Sequence, residues 1–515
     1  MVSSAPYLLH VLICFVQGLL VGAENVTYWP WQTYKSNSVQ PPSLNITKSG
    51  PTSPGYLFFD QDGDYAHQTG VFIMDDDNEL IWHGASADIS AYSAQLLDGQ
   101  PVLTYFLGIS FPEPWGWGYG IIEVLDDSYE SIYNVSLTAE QEGFTAVGGL
   151  DPANLWSYID IHEAKITSEG SMLVTAINVT KFDLTSIGGP EDGWIADSLF
   201  YEIDVKTNEV LFRWSSLTHL DEIPLEDVVQ FYPLDDLGTN QTYPYGYFHI
   251  NAVDKFQDGS YLISSRFYCS IFKISANGSV EWTLQGRNGG DFRLSPDLSF
   301  CYQHDARIRR EEDNVVEISL FNNDNDADDL GVNQTTGIFM SVNTETMTAT
   351  LKKQFADPND PLYSASQGGL QHIPGDDHVV MGYGSVPSIK EYSPDGECIM
   401  TAEFGHSQGY VMSYRAYRLP WVGRPKTPPD VFACRDAHNR TAVYMSWLGA
   451  TEHRSWKVFS GLGSSNLTWV DRVPRDGFET EAHVSGRPSY VQVEAYGSNG
   501  TVLGTSSVVE VASSC

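Results

Sequence analysis

Four histidines lie at the start of predicted strands in successive copies of a sequence repeat. They are His162 in DIHEAKIT, His249 in FHINAV, His304 in QHDARI and His372 in QHIPG. A neutral imidazole is nucleophilic near neutral pH and can also carry a proton, so histidine suits covalent and acid–base catalysis. One such histidine alone is more often a packed, hydrogen-bonded structural residue. Four in equivalent positions favour a shared site.

One arginine ends an apolar strand in the same repeat. Arg266 follows YLISS, the strand that returns from His249. A guanidinium is costly to bury unless an anion or a carboxylate meets its planar set of donors. Two interpretations follow. Arg266 either binds an oxyanion in a pocket shared with the histidines, or it forms a structural ion pair with an acid such as Asp254.

The histidines and Arg266 lie among copies of a β-hairpin sequence pattern that recurs six times. Each copy has an alternating apolar run, a turn rich in Asp, Asn, Gly or Thr, and a second alternating run, which is typical of a β-hairpin. The copies are FIMDDDNELIW (72–82), IEVLDDSYESIYNV (122–135), YEIDVKTNEVLFRW (201–214), FKISANGSVEW (272–282), MSVNTETMTATL (340–351) and KEYSPDGECIM (390–400).

A second pair of predicted strands precedes each of the last four copies, which makes four strands per unit. Six such units with hardly any helical periodicity predict an all-β fold, a six-bladed β-propeller over residues 51–424. A large β-sandwich and a β-helix are the alternatives, and the uneven unit lengths speak against the β-helix. In a propeller the first strand of every blade lines the central channel, so histidines far apart in sequence would meet around one axis.

Three further segments flank the repeats. Residues 1–23 contain one uncharged apolar run and end in Val-Gly-Ala, which predicts a signal peptide cleaved after Ala23 and a secreted protein. A retained anchor is the alternative, but no second apolar run of membrane-spanning length follows, so no stable membrane association is expected. Residues 24–50 form a polar N-terminal extension. Residues 425–515 contain alternating runs sized for a fibronectin-III-like β-sandwich.

Cysteine and asparagine usage agree with a secretory pathway. Cys14 lies in the predicted signal, and among the possible pairings of the others we favour Cys269 with Cys301 and Cys434 with Cys515. Ten N-x-S/T sequons predict an N-glycosylated protein. They begin at Asn25, Asn45, Asn134, Asn178, Asn240, Asn277, Asn333, Asn439, Asn466 and Asn499.

The charge balance excludes one class of partner. The net charge is −38, and only 28 of the 515 residues are Lys or Arg. Because phosphate binding needs clustered basic side chains, no nucleic-acid partner is expected. The sequence also lacks a GxxxxGK phosphate loop, so we expect neither a nucleotide nor another cofactor.

At the histidine and arginine motifs the sequence resembles the PAPS-independent arylsulfotransferase family, in the branch common among secreted fungal proteins. The matching stretches are DIHEAKIT, HINAVDKFQDGSYLISSR, FKISANGSVEWTLQG, FCYQHDARI and ISLFNNDND. The similarity spans most of residues 55–424. The run MSWLGATEHRSWKVFSG is similar to the tail domain of that branch.

The resemblance implies a six-bladed propeller enzyme that moves a sulfuryl group from a phenolic sulfate ester to a second phenol through a sulfohistidine. It assigns the nucleophile to His304, supporting roles to His249 and Arg266, and the remaining channel position to His162. His372 has no catalytic counterpart and is a candidate wall residue. Small phenolic molecules are the implied substrates. Near the channel mouth, an aryl ring could stack on Trp115, Trp117, Tyr245 or Tyr247. The alternative, which is more common for each of them, is a loop aromatic that fills a gap between blades.

Two other functions stay open at this point. Four channel histidines also suit an iron site, as in metal-dependent propeller oxygenases, with carboxylates orienting the rings. Glu163 and Asp305 directly follow two of the histidines, but adjacent side chains on a strand point to opposite faces. A propeller also hosts ligand binding, or a non-sulfuryl step such as cyclisation or isomerisation. Metal analysis of the purified protein and an assay with an aryl sulfate separate these functions.

Overall fold

The structure of the chain is a computed structural model that describes residues 28–84, 88–111, 116–151, 154–324, 334–406 and 411–515. The predicted signal peptide, Trp115 and the sequons at Asn25 and Asn333 lie outside the described residues. Within the described ranges the chain is all-β, with thirty-five strands, one α-helical turn (Ala139–Glu142) and three 3₁₀ turns. No helix in these ranges is long and apolar enough to cross a bilayer.

The strands are numbered in chain order. Twelve strands precede residue 216: β1 (Asn45–Lys48), β2 (Tyr56–Gln61), β3 (Gly70–Met74), β4 (Leu80–His83), β5 (Asp88–Leu97), β6 (Gln100–Ser110), β7 (Gly118–Leu125), β8 (Ser131–Val135), β9 (Ile159–Ile166), β10 (Ser171–Phe182), β11 (Gly193–Asp204) and β12 (Val210–Ser215). Fifteen more extend to residue 419: β13 (Ile250–Lys255), β14 (Tyr261–Ser265), β15 (Ser270–Ile274), β16 (Val280–Gln285), β17 (Gly289–Gly290), β18 (Arg293–Leu294), β19 (His304–Glu312), β20 (Val315–Asn322), β21 (Thr336–Asn343), β22 (Thr348–Phe355), β23 (Gly369–His372), β24 (Val379–Gly382), β25 (Ser388–Tyr392), β26 (Cys398–Glu403) and β27 (Ala416–Leu419). Eight form the C-terminal segment: β28 (Asp430–Arg435), β29 (Thr441–Ser446), β30 (His453–Gly461), β31 (Thr468–Pro474), β32 (Thr480–Val484), β33 (Tyr490–Gly497), β34 (Val502–Thr505) and β35 (Val509–Glu510).

Most strands pair antiparallel with their neighbour in sequence. The units β5–β8 and β9–β12 join into one eight-stranded sheet, whereas β13–β17, β18–β22 and β23–β26 belong to separate sheets. All six predicted hairpins are confirmed, as the pairs β3–β4, β7–β8, β11–β12, β15–β16, β21–β22 and β25–β26.

Local turn chemistry explains why these hairpins form. In the turn between β15 and β16, Gly278 adopts φ +98°, a conformation that side chains disfavour. The Oδ1 of Asn277 accepts a hydrogen bond from the backbone N–H of Ser279 at 3.2 Å, as expected for an Asn-Gly turn. The indole N–H of Trp214, at the end of β12, donates to the carbonyl of Gly278 at 3.0 Å. This contact joins two neighbouring units.

The first strands of the units form a ring, and we call β5, β9, β13, β19, β23 and β27 the inner strands. Each contacts the next, and β27 contacts β5. Strand β27 also pairs with β2 and so completes the four-stranded sheet β27-β2-β3-β4. This pairing joins the two ends of the repeat region. The fold is therefore propeller-like, and the histidine-bearing strands surround one axis.

The flanking segments contact this body and each other. Strand β1 of the N-terminal extension pairs with β26, and the backbone N–H of Ser36 donates to Glu479 in the C-terminal segment at 2.6 Å. That segment has two sheets, β28-β29-β32 and one built on β31-β30-β33-β34. Buried apolar side chains from both sheets, including Val443 and Trp456, share one core.

Two disulfides confirm the favoured pairing. Cys269 bonds to Cys301, and Cys434 bonds to Cys515. Cys398 is a free cysteine. The first bridge joins the segment after Arg266 to the segment before His304, so it fixes the approach of two predicted site residues. A covalent link of this kind restricts the unfolded chain and holds the two segments in register.

Candidate active site

Three of the four predicted histidines meet at the beginnings of the inner strands. His162 is on β9, His249 immediately precedes β13, and His304 begins β19. All three side chains are buried, and the rings of His162 and His249 lie 4.6 Å apart, edge to face. Burial lowers the pKa of His249 well below its ordinary value, and electrostatic interactions with His162, Arg266 and His304 lower it further. The structure thus brings these four side chains together.

His304 is held in one orientation through both ring nitrogens. Its Nδ1 hydrogen-bonds the Oδ1 of Asn323 at 2.7 Å, and its Nε2 accepts from the backbone N–H of Gln367 at 3.3 Å. The amide of Asn323 is itself fixed, because its Nδ2 donates to the carbonyls of Ser364 and Gln367. Since an amide oxygen only accepts, the proton lies on Nδ1 and the lone pair on Nε2.

The surroundings of His304 keep its ring neutral. Burial, followed by the charge of Arg266, holds the pKa of His304 well below its ordinary value, although the hydrogen bond to Asn323 acts in the opposite direction. A pKa lowered in this way leaves the imidazole unprotonated at neutral and mildly acidic pH. His304 therefore presents a neutral, oriented Nε2 lone pair, which is the form that a nucleophile requires.

His162 is paired with a buried carboxylate on its own strand. Its Nδ1 hydrogen-bonds the Oδ2 of Asp160, two residues earlier. Asp160 also accepts from the backbone N–H of Gly118 at 3.0 Å and from the hydroxyl of Thr175 at 3.3 Å. The carboxylate therefore fixes the ring and leaves Nε2 as the nitrogen that is free to exchange a proton.

His249 has an unusual backbone and an unpartnered ring nitrogen. Its φ of +56° lies in the left-handed region, and its ring is flanked by Trp117 at 4.5 Å and Phe267 at 4.9 Å. Within the described residues, the buried Nδ1 of His249 has no hydrogen-bond partner. A buried polar nitrogen without a partner is costly, so its position suits a group that a ligand supplies.

The backbone is strained around the whole site. Residues other than glycine rarely adopt positive φ, and such strain persists where the surrounding structure enforces it, often at functional sites. Besides His249, four residues here adopt it: Cys269 (49°), Tyr302 (51°), Asp305 (53°) and Gln367 (62°).

Arg266 faces this site without a carboxylate. Its Nη2 donates to the carbonyl of Ala365 at 3.2 Å, and its guanidinium lies 4.9 Å from the ring centre of Phe267 and 5.4 Å from that of Tyr302. No ion-pair partner of Arg266 occurs in the part of the chain that the structure describes. Burial lowers the pKa of Arg266 from its ordinary value, but the group remains charged.

The alternative interpretation of Arg266, an ion pair with Asp254, is wrong. Asp254 instead contacts the Nζ of Lys165 at 2.5 Å and accepts from the backbone N–H of Ile308 at 3.1 Å. Asp254 is on β13, five residues after His249, and its two partners lie on the neighbouring inner strands β9 and β19. Within the described residues, neither Asp254 nor another carboxylate pairs with the guanidinium of Arg266.

The aromatic predictions are partly corrected. Trp117 contacts His249, as described above, and is buried. Tyr245 and Tyr247 do not line an open mouth, because both are fully buried, with 0% exposure. Their hydroxyls donate to the carbonyl of Tyr232 at 2.5 Å and the hydroxyl of Ser216 at 2.8 Å, respectively.

His372 does not join the other histidines. It ends β23 rather than beginning it, and its Nε2 contacts the Oδ1 of Asp377 at 3.1 Å on a side chain that is 30% exposed. The prediction that four histidines share one register is therefore wrong, and with it the four-histidine iron site. No group of three or more His, Cys, Asp or Glu in the described ranges is placed to hold a metal ion.

An ion-pair layer lies directly beyond the histidines along the inner strands, and we define it as Glu163, Asp305, Arg307 and Arg415. Glu163 contacts Arg307 at 2.7 Å and Arg415 at 3.2 Å, and Asp305 contacts Arg307 at 2.8 Å. Burial by itself would raise the pKa of Glu163, but the two guanidinium groups outweigh it and lower the pKa to about 2. The opposite charges within the layer therefore compensate one another.

Glu163→Gln is expected to lower the free energy of unfolding by about 3–5 kcal/mol, because it leaves buried guanidinium groups without their carboxylate. Chemical denaturation of the purified proteins measures the change. The matched control is Glu169→Gln, which removes a carboxylate that is 62% exposed and paired with Lys255. Its expected effect is below about 1 kcal/mol. Equal losses in the two variants would contradict the role of the layer.

Several residues of the site were not found from the sequence. Asp160 was detectable in principle, since residues two apart on a strand share a face. Asn323 lies in FNNDND beyond β20, and no spacing rule connects it to His304. Gln367 contributes its backbone, which carries no sequence signal. The hydroxyl of Tyr414, whose ring lies 5.7 Å from that of His162, is buried with no hydrogen-bond partner among the described residues.

Comparison with known proteins gives one strong result. A family model described as Arylsulfotransferase (ASST) matches residues 93–405 of the chain. No curated protein matches the chain.

Solved structures are similar only in outline. A protein of unknown function from Bacteroides caccae is 12% identical over 71% of this chain and 98% of its own, with a TM-score of 0.39. A GH43 protein from Bacillus licheniformis is 8% identical over 82% of this chain and 89% of its own, with a TM-score of 0.32. A streptogramin B lyase is 10% identical over 67% of this chain and 82% of its own, with a TM-score of 0.24. None of these values supports a transfer of function.

Proposed function

Because the chain belongs to the arylsulfotransferase family, we propose that it moves a sulfuryl group from a phenolic sulfate ester to a phenolic acceptor without PAPS. His304 is the nucleophile and carries the sulfuryl group as a sulfohistidine. His162, His249 and Arg266 bind the reacting group and move the proton. One observation carries the proposal. The neutral His304 ring and the guanidinium of Arg266 lie close enough for the charge of Arg266 to lower the pKa of His304, and within the described residues Arg266 has no carboxylate partner.

The first step forms one bond and breaks one. The hydrogen bond from the backbone N–H of Gln367 to Nε2 of His304 is released, and the freed lone pair attacks sulfur. The bond between sulfur and the phenolic oxygen breaks, so the phenolate leaves with the electron pair. His162, which enters the step with a proton on Nε2 as well as on Nδ1, gives its Nε2 proton to that oxygen. The sulfonated ring retains its Nδ1 proton and becomes cationic, and the Oδ1 of Asn323 accepts the hydrogen bond that stabilises it. A covalent intermediate divides a difficult transfer into two easier ones.

The second step reverses the first with another phenol. The acceptor hydroxyl gives its proton to His162, which Asp160 holds in place, and its oxygen attacks sulfur. The N–S bond breaks, and the electron pair returns to Nε2 of His304. The ring is again neutral. The enzyme ends each cycle in its starting state, and no nucleotide is consumed.

Charge stabilisation comes from groups that are in place before the substrate arrives. The sulfuryl oxygens carry negative charge throughout, and the leaving oxygen gains charge as its bond to sulfur breaks. Arg266 meets this charge, and His249 and His162 supply ring nitrogens. Donors that are preorganised in a dry pocket contribute more than donors in water. The net charge of −38 does not prevent binding, because salt screens exposed charges beyond about 8 Å.

Aromatic side chains around the pocket suit a phenolic substrate. Trp117, Phe267, Tyr302 and Tyr414 surround His249, Arg266 and His162. Such rings stack on an aryl group or meet it edge to face. The unpartnered hydroxyl of Tyr414 adds a donor for a sulfuryl or phenolic oxygen.

The finer architecture and location belong to the same proposal. We propose a six-bladed β-propeller over residues 51–424 and a fibronectin-III-like sandwich over residues 425–515, which the ring of inner strands and the two-sheet C-terminal segment support. We also propose a secreted, N-glycosylated protein. Two disulfides support an oxidising compartment.

The direct test is an assay with 4-nitrophenyl sulfate as donor and phenol as acceptor. Release of 4-nitrophenol that requires the acceptor, together with formation of phenyl sulfate, would support transfer. Release that proceeds equally well without an acceptor would indicate a hydrolase. No turnover across a broad panel of aryl sulfates and phenols would overturn the proposal.

Asn323→Leu is expected to lower kcat by about tenfold, because the hydrogen bond that keeps the proton on Nδ1 of His304 is lost. Asn323→Asp keeps an acceptor at this position but adds negative charge, which raises the pKa of His304. It should therefore retain most activity at pH 8 while the acid limb of its pH–rate profile moves to higher pH. An unchanged profile in Asn323→Asp would contradict this positioning role.

A further inference from the structure

A cavity lies at the inner strands β5, β9, β19, β23 and β27, and the ion-pair layer lines it whereas His162, His249 and His304 do not. Its volume is about 210 Å³. The inner strands carry the site histidines at or near their beginnings and the cavity-lining residues farther along. On β19, His304 is the first residue, and Arg307 and Arg309 follow. On β9, His162 precedes Lys165. The histidine site and the cavity therefore involve the same strands but different residues along them.

The cavity is rich in basic side chains, although the protein is strongly acidic. Four basic residues line it: Lys165, Arg307, Arg309 and Arg415. Glu163 and Asp305 of the ion-pair layer compensate Arg307 and Arg415. Asp254 compensates Lys165. The remaining charge belongs to Arg309, so the cavity carries one excess positive charge.

Arg309 differs from every other basic residue on the inner strands. The others each contact a carboxylate: Lys165, Lys255, Arg307, Arg310 and Arg418. Arg309 has none in the described chain. Its Nε donates to the hydroxyl of Ser319 at 2.6 Å, and its Nη2 donates to the carbonyl of Leu370 at 2.7 Å. These neutral acceptors fix the guanidinium without neutralising it.

A second donor in the cavity is also unused. The hydroxyl of Tyr417 makes no hydrogen bond within the described residues, although Tyr417 lines the cavity with Arg309. Arg309 and Tyr417 are both half-buried, and a cation that is partly removed from water is usually paired with an opposite charge or several hydrogen bonds. The chain has 66 acidic residues, yet none of those in the described ranges forms an ion pair with Arg309. The guanidinium of Arg309 and the hydroxyl of Tyr417 are therefore both available to bind a ligand.

We propose that this cavity binds a small oxyanion, with Arg309 as its charged donor and Tyr417 as a second donor. A guanidinium offers two parallel N–H groups that match the oxygens of a phosphate, sulfate or carboxylate. The volume suits an inorganic oxyanion or a small organic acid. His162, His249 and His304 do not line this cavity, so this site is distinct from the proposed sulfuryl-transfer site and does not depend on that function.

The test measures binding of inorganic phosphate by isothermal titration calorimetry in the full chain carrying Arg266→Gln, which removes the guanidinium of the histidine site. This variant should bind one equivalent of phosphate. Adding Arg309→Gln should weaken binding by about 10- to 100-fold, since charge-assisted hydrogen bonds are lost. Adding Arg310→Gln instead should change nothing. That control removes the same charge from a neighbouring side chain that is 59% exposed.

Two further arms complete the test. Acetate and succinate in place of phosphate show whether an organic acid or an inorganic anion is preferred, and thermal unfolding verifies that each variant is folded. If Arg309→Gln does not fold, Tyr417→Phe replaces it and should weaken binding severalfold. Absence of saturable binding in Arg266→Gln would overturn the proposal, and so would equal affinities in the Arg309 and Arg310 variants. Either result leaves the proposed sulfuryl transfer untouched, because that reaction is assayed separately.

Discussion

His304→Ala is expected to lower the rate of sulfuryl transfer by roughly 10⁴-fold or more, the largest effect of any single substitution in the protein. The substitution removes the atom that forms the N–S bond, and no other side chain of the pocket can take its place. The ring of His162 is tied to Asp160, and the ring of His249 has no hydrogen bond at Nδ1 within the described residues that would fix its tautomer. Acceptor-dependent release of 4-nitrophenol measures the loss.

The control for this experiment is His372→Ala. His372 was predicted from the same repeat but lies at the other end of its strand, where its ring contacts Asp377 and lies edge-on to Phe339. Its substitution should leave kcat and KM unchanged. Thermal unfolding of His304→Ala should resemble that of the native protein, because the loss is chemical. Retention of more than about one per cent of native activity in His304→Ala would exclude His304 as the nucleophile.

Arg266→Gln is expected to lower kcat by about 10²- to 10³-fold, the usual consequence of removing one preorganised donor to developing charge. Gln retains hydrogen-bonding capacity but not the charge or the paired N–H groups. The matched control is Arg310→Gln, which makes the same change in net charge at an exposed position. Equal activities of the two variants would show that Arg266 does not meet the sulfuryl group.

The same variant changes the pH dependence in a defined direction. In the native protein, burial and then the charge of Arg266 hold the pKa of His304 well below its ordinary value. Activity should therefore stay high as the pH falls through 6.5, the ordinary pKa of histidine. Removing the charge of Arg266 raises the pKa of His304, so the acid limb of the profile moves to higher pH. A profile unchanged in shape would contradict the electrostatic coupling of the two residues.

The hairpins could be predicted from the sequence because their determinants are local. An alternating apolar pattern and a turn such as Asn277-Gly278 determine each pair of strands over about ten residues, and all six pairs are present. The contact between the first and last parts of the repeat region was harder to predict from the sequence. Ala416–Leu419 pairs with Tyr56–Gln61, and the sequence of neither short strand identifies the other as its partner. Long-range pairing of this kind depends on the whole set of sheets.

The candidate site likewise contains residues that could be predicted from the sequence and residues that could not. His162, His249, His304 and Arg266 were found because the repeat and the family motifs place them at equivalent points of the chain. His372 was assigned because it was predicted to begin the first strand of its unit. It ends that strand instead, and Gln367 is the residue of this segment that contacts His304. The exact start of a short strand is not determined by its local sequence pattern. The contact between Asn323 and His304 depends on how two loops pack.

Detection of the covalent intermediate tests the central claim most directly. The protein is mixed with 4-nitrophenyl sulfate without an acceptor, quenched under alkaline conditions, digested and analysed by mass spectrometry. A mass increase of about 80 Da on the peptide that contains His304, corresponding to one SO₃ group, is the predicted result for a two-step transfer. The adduct should disappear when phenol is added before the quench. Rapid acceptor-dependent turnover with no adduct, or with the adduct on another residue such as His162, would contradict the account.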